Sequence, residues 1–386
     1  MKQAAPLRLQ HVLILLCAVS IPTAVWAERE TEPGPKTGRP APATLTVGNL
    51  SVTLSGRAQL QAAVLAGEDA LLADGEAAEE MGFRLRRARM GIEATIDKDF
   101  LVGVEVDLLE SEGSALHEAY VGWENRWAVV HAGLIKVPMS RSARISSETL
   151  QLTDRALGVR GIAPFQQVGL LVGGKVWDEK IRLSTGVFNG LNNGETFASG
   201  WERMDPTLGN RFGGFAIAAR LDIDPLGPLG SGVADLNKDP NLRLGIGGGL
   251  LMNRGETVQG LGFSGDLQLK WYGVSLLAEF LTDQIEPTKE PTEPDGPKDD
   301  VARIAVTGQL GYTILRKLLD VAVRVELIDE NTTVDDEGDA LLIGAAVTVH
   351  LAHEHLKIQA GYTHRVEQHG LNLDNDVALV QVEGRF

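Results

Sequence analysis

Arg87 and Arg89 stand two residues apart, and Glu93 and Thr95 continue the same alternation, so a strand over 83–97 carries all four on one face. Cations recur in similar surroundings at Lys136, Lys175, Arg182, Arg220, Arg243, Arg303 and Arg324. The segment 137–164 adds Arg141, Arg144, Arg155 and Arg160 against only Glu148 and Asp154. A guanidinium is a planar fork of donors that matches phosphate or carboxylate oxygens, and a row of such forks beside water raises the local anion concentration. The same arginines could instead pair with Glu93, Glu105 and Asp107 and merely hold a wall together. Both readings stand at this point. Arg84 and Arg86 fall in the opposite phase, toward lipid near an outer rim, where they could contact lipopolysaccharide phosphates or simply end the strand.

Other chemistry finds little support. Catalysis needs a nucleophile, a base and an orienting group that converge, and no Gly-x-Ser-x-Gly motif or Ser/His/Asp grouping is present, so no catalytic residue is assigned. Cys17 is the only cysteine, and it lies in the segment read below as a signal. The mature chain therefore has no disulfide and no thiolate ligand. His350, His353 and His355 flank a tight turn, a spacing that suits solvated histidines better than a zinc site. Gly245 and Gly247–Gly249 are not followed by Lys-Ser/Thr or a helix, so they cradle no phosphate; glycine on an inner face permits close packing. Acidic Asp335-Asp336-Glu337 could gather divalent cations between lipopolysaccharide heads, with plain solvated charge as the default. No cofactor and no metal is assigned.

The elements that position these groups are strands. From about residue 45 the dominant period is two, as in Phe100-Leu-Val-Gly-Val-Glu-Val-Asp-Leu and Leu319-Asp-Val-Ala-Val-Arg-Val-Glu-Leu. About sixteen such segments follow one another, most near the ~10 residues a tilted membrane strand requires. Connections alternate between long or charged (67–82, 137–164, 190–212, 284–300, 329–339, 367–375) and short. Residues 224–241 break the rule, being long where a short turn is due. The net charge of −16 resides mainly in loops: 67–82 has six acids and no cation, 283–300 seven acids and two lysines, 329–339 six acids. Such a surface argues against nucleic acid.

Lys2 and Arg8, the apolar run from Val12 and the small residues of Val25-Trp26-Ala27 are the layout of a secretory signal, with cleavage expected after Ala27. A lipoprotein signal would use Cys17, but Leu16 stands where such signals want a small residue. Residues 28–44, rich in Pro and Glu, are expected to be a flexible lead-in, and 45–386 the folded body. No run in that body approaches the ~20 apolar residues of a membrane helix.

A β-sandwich would also alternate, but its polar faces would look outward. Here they are rich in Gly, Ser, Thr, Gln and isolated charges, the pattern of a lumen. Backbone polar groups in lipid demand a closed sheet, which an even strand count supplies. The expected fold is all-β, a transmembrane antiparallel up-and-down β-barrel of about 16 strands. In Asp376–Phe386 the terminal Phe386 is in phase with Ala378, Val380 and Val382, placing an aromatic at the interface as a C-terminal barrel signal.

Four separated blocks, Phe83–Phe100, His117-Glu-Ala-Tyr-Val121, Gly133-Leu-Ile-Lys-Val-Pro-Met-Ser140 and Gly186-Val-Phe-Asn-Gly190, resemble the phosphate-selective porins O and P. Met139 departs from the Phe usual there. The resemblance implies an outer-membrane porin of a Gram-negative-type bacterium, commonly a homotrimer, whose long third loop folds inward as a constriction; the equivalent is 137–164. It implies passive diffusion of small hydrophilic solutes with an anion, phosphate-like preference, and outer-membrane lipid and lipopolysaccharide as partners. A non-conducting structural barrel or a barrel enzyme is the alternative, and conductance separates them.

Overall fold

The computed structural model describes residues 43–67, 81–109, 116–194, 196–203, 213–230, 232–288, 300–352, 355–371 and 373–386. The expected signal and nearly all of the lead-in lie outside them. Sixteen strands form the barrel. These are β2 (Leu50–Ala66), β3 (Gly82–Ile96), β4 (Phe100–Asp107), β5 (Leu116–Glu124), β6 (Ala128–Lys136), β7 (Gln166–Val176) and β8 (Ile181–Asn189), then β11 (Phe215–Ile223), β12 (Arg243–Arg254), β13 (Val258–Trp271), β14 (Val274–Pro287), β15 (Val301–Leu315), β16 (Leu319–Asp329), β17 (Ala340–Leu351), β18 (Leu356–Glu367) and β19 (Val377–Arg385). Each pairs antiparallel with the next, β8 with β11, and β19 closes on β2. Sequence alternation placed all sixteen.

Tight turns sit at one end, where left-handed residues such as Asp97, Lys98, Trp177, Tyr272, Lys317 and Ala352 reverse the chain. The outward faces are apolar, as Met90, Ile92, Val323, Val325 and Leu327 show, each exposed. Trp127, Trp177, Trp271, Tyr272 and Phe386 cluster at the turn end, also exposed, as an interfacial aromatic girdle requires. Phe386 closes the seam: its N–H donates to Gly56 O at 3.0 Å, and Gly56 N–H donates to Phe386 O at 3.2 Å.

Two short pairs were not expected. β1 (Ala43–Val47) forms a hairpin with β2, Ala43 opposite Leu54 and Val47 opposite Leu50. It begins inside the expected lead-in because β19 reaches only Arg57 on that edge of β2, leaving open backbone below it. β9 (Leu191–Asn193) and β10 (Trp201–Arg203) form a hairpin in the loop between β8 and β11.

Residues 224–230 and 232–242 belong to an enlarged turn at the tight-turn end, so the strand count does not slip there. The segment lies across neighbouring turns: Asp224 N–H donates to Lys180 O at 2.7 Å, Tyr272 N–H to Asp239 O at 2.9 Å and Lys317 N–H to Leu236 O at 2.9 Å. It also enters the lumen, where Lys270 Nζ donates to Leu229 O at 2.9 Å.

Candidate pore and its charged wall

The segment between β6 and β7 does fold into the barrel. It carries two short helices, α1 (Arg141–Arg144) and α2 (Leu157–Ile162). Val137, Met139, Ala143, Val159 and Ile162 pack against inward Ala218, Leu251, Leu281, Ala305 and Ile328 in one apolar cluster. Polar anchors add to this. Glu279 accepts from Ser140 Oγ at 2.7 Å and from the N–H groups of Arg141 at 2.9 Å and Ser142 at 3.2 Å. Arg220, whose side chain is fully buried, joins Asp222 at 2.8 Å and Asp266 at 2.6 Å and donates to Met139 O at 2.7 Å. Gln151 meets Asp320, Ser275 and Gln309, and Lys357 Nζ donates to Glu148 O at 2.8 Å.

Close approach explains the glycines of β12. A Cβ at Gly247 would lie 2.1 Å from Arg220 Nη2, and one at Gly249 would lie 2.2 Å from Met139 O. They make room for the inward loop.

The loop thus leans on the β11–β18 wall and leaves space along β2–β8. Two cavities occupy that side, of about 1190 Å³ and 520 Å³. They adjoin at Glu118, Tyr120, Lys136, Ile145 and Ser146, which line both. Nine Arg and Lys residues line the larger against six carboxylates, which leaves a net positive wall.

The expected site residues divide. Arg87, Arg89, Lys136, Arg155 and Arg160 line the larger cavity. Lys136, Arg141, Arg144, Lys175 and Arg182 line the smaller. Arg220, Arg243, Arg303 and Arg324 line neither. Arg303 is forked on Asp283, at 2.8 Å to Oδ1, and holds Asn193 of β9 at 2.9 Å. Arg324 meets Glu326 at 2.8 Å and Asp154 O at 2.9 Å. Arg243 binds Leu226 O at 3.0 Å in the enlarged turn.

Wall pairing and lining coexist in single residues. Arg89 Nε donates to Asp107 Oδ2 at 2.7 Å and its Nη1 reaches Glu105 at 3.4 Å and His117. Arg87 donates to Gln59. Arg141 bridges Asp266 and Asp222, and Arg144 meets Asp222 at 3.2 Å. Arg182 meets Asp224 at 2.8 Å. Arg155 donates to Ser142 O and Ile145 O, tying the loop to itself, and lies over the Phe165 ring. Burial, with Arg160 nearby, pulls its guanidinium down to about 10, so it remains a cation at neutral pH.

Arg84 and Arg86 face inward, contrary to the alternation argument. The register between β2 and β3 shifts at Gln59/Leu60, and this bulge changes which parity points to the lumen. Phe83 and Leu85 take the lipid side, Arg84 Nε donates to Gln61 at 3.0 Å, and Arg86 lies 3.6 Å from Asp154. Arg57 and Arg385 also line the larger cavity. Arg57 stands in phase with polar Thr53, Ser55, Gln59 and Gln61, the signal that could have found it. Its side chain makes no hydrogen bond or ion pair with any described residue, and its Nη1 is buried without a partner. The turn histidines do not converge: His350 pairs with Asp320 at 2.7 Å inside the barrel, His355 faces Arg385 O at 3.0 Å, and His353 lies outside the described residues.

Several outer-membrane proteins share this fold among solved structures. OmpT of Vibrio cholerae, as its loop L8 deletion mutant, has a TM-score of 0.58 at 11% identity, covering 88% of this chain and 100% of that one. The outer membrane channel DcaP of Acinetobacter baumannii scores 0.57 at 13% identity, covering 88% and 98%. An anion-selective porin from Comamonas acidovorans scores 0.56 at 12% identity, covering 87% and 100%. A comparison with curated protein sequences gives no match. Residues 53–215 match the family model of the phosphate-selective porins O and P, and the closed sixteen-stranded barrel that contains them has the fold of the outer-membrane porins.

Proposed function

We propose that this chain is an outer-membrane porin through which small hydrophilic solutes diffuse passively, with anions preferred. The observation that carries the preference is the cation excess along the larger cavity, together with an Arg57 that has no partner among the described residues. A guanidinium with no carboxylate within hydrogen-bond reach keeps a positive field that favours a passing anion. Arg57, Arg86, Arg87, Arg89, Lys136, Arg155 and Arg160 would line the wider part of the path, and Arg141, Arg144, Lys175 and Arg182 the part nearer the tight turns. Arg220, Arg243, Arg303 and Arg324 would hold loops to the wall. The family match and the DcaP, OmpT and Comamonas likenesses support the porin reading; a trimer form of OmpT supports assembly as a homotrimer in lipid and lipopolysaccharide.

Planar bilayers holding the purified protein test this. Stepwise conductance, with a zero-current potential of anion-selective sign under a KCl gradient, is expected. No conductance would leave a structural barrel or an enzyme, and a cation-selective sign would overturn the role given to the arginines.

A further inference from the structure

At the end of the barrel opposite the tight turns, the loop after β16 (330–339) meets the loop after β18 (described at 368–371 and 373–376). Gln368 N–H donates to Asp339 O at 2.7 Å, which ties the two backbones together. Around that junction the carboxylates of Asp335 and Asp339 and the imidazole of His369 place one ligand atom each within 4.8 Å of one another. His369 Nε2 lies 3.9 Å from Asp339 Oδ2.

Asp339 is the decisive member. It is 7% exposed, yet its Oδ1 is buried with no hydrogen-bond partner among the described residues. A buried carboxylate oxygen without a donor is costly, and the Asp329 and Glu330 carboxyls beside Asp339 add repulsion. Glu330 reports that environment: burial, reinforced by Asp336 and Asp339 and opposed by Arg365, pushes it up to about 7. A cation held among Asp335, Asp339 and His369 would relieve a carboxylate that the described residues leave short of donors.

We propose that Asp335, Asp339 and His369 form a divalent metal site that joins these two loops. The imidazole selects an ion of the zinc class over calcium or magnesium, which take oxygen donors. Tetrahedral bonds of about 2.1 Å set ligand atoms about 3.4 Å apart, so small side-chain rotations from the present separations close the site. Asp335 and His369 are exposed, so an ion reaches the site from solvent. None of the three residues lines either cavity, so conductance and metal binding can fail independently.

Calorimetric titration of ZnCl2 into the full-length protein, folded in detergent micelles, tests the site, with CaCl2 titrated in parallel. One zinc per chain is expected, bound at least tenfold more tightly than calcium. His369→Gln and Asp339→Asn should each weaken zinc at least tenfold, with heat-modifiable migration on gels reporting that the barrel is folded. Should Asp339→Asn not fold, His369→Gln, altering an exposed side chain, decides alone. Absence of zinc binding to the parent protein, equal affinity for calcium, or an unaltered affinity in His369→Gln each overturns the proposal.

Discussion

Replacing Arg57 tests selectivity with little cost to the wall, because that side chain lines the larger cavity and makes no hydrogen bond or ion pair with a described residue that its loss would break. An anion passing ~5 Å from a guanidinium in water is favoured by about 0.8 kcal/mol. At ~0.1 M salt, where the Debye length is about 10 Å, screening reduces this to roughly 0.5 kcal/mol. A cation is disfavoured by the same amount. Arg57→Gln should therefore lower the anion-to-cation permeability ratio by about 1 kcal/mol, or roughly fivefold. Arg57→Glu reverses the charge and should lower it by about 2 kcal/mol, roughly thirtyfold. The measurement is the zero-current potential of bilayers in a tenfold KCl gradient, beside heat-modifiable gel migration for folding. A ratio within twofold of the parent in folded Arg57→Glu would refute the claim that the charge on this wall sets selectivity.

Arg220→Leu leaves Asp222 and Asp266 with Arg141 and Arg144 as their remaining cations and should cost about 3 kcal/mol, the lower end for a broken buried pair. Trypsin should then cut after Arg141 or Arg144 in the otherwise folded barrel, and continued resistance would deny Arg220 its anchoring role. Gly249→Val must displace Met139, whose O would lie 2.2 Å from the new Cβ, and single-channel conductance should change by more than its ordinary scatter. In the enlarged turn, the Asn241 N–H, with its side-chain amide and Arg243, holds the Asp239 carboxyl below the usual aspartate range. A depressed carboxyl stabilises fully above its unfolded value of about 4 and loses that contribution as pH falls through the lower folded value. Exchange protection at Asn241 should accordingly hold from pH 7 to about 4 and fall below it; loss already between pH 7 and 5 would contradict the assignment.

The strand framework was legible because lipid on one side and water on the other impose a period of two. That logic failed where a bulge changed the parity: Phe83 and Leu85 are apolar in one phase, Ala88, Met90 and Ile92 in the other, so the switch was visible but hides Arg84 and Arg86 if one phase is carried through. The fates of the arginines were not legible. Arg220 becomes an anchor only because Asp222, Asp266 and Met139 O, from three parts of the chain, meet around it. No local spacing encodes that meeting, which depends on the path of the inward loop. β1 was missed because five residues finding an open edge leave almost no pattern.

Leu277, Leu281 and Ile285 of β14 point inward beside the anchoring Glu279 and Asp283 while Phe280 meets lipid, so this stretch of wall has apolar contacts on both sides. One half of the barrel is therefore built like the interior of a soluble protein, held by jigsaw fit. The other half is relieved of that duty and can tolerate crowding by like charges, such as Arg86, Arg87, Arg89 and Arg57, that would spring a wall with nothing else to brace it.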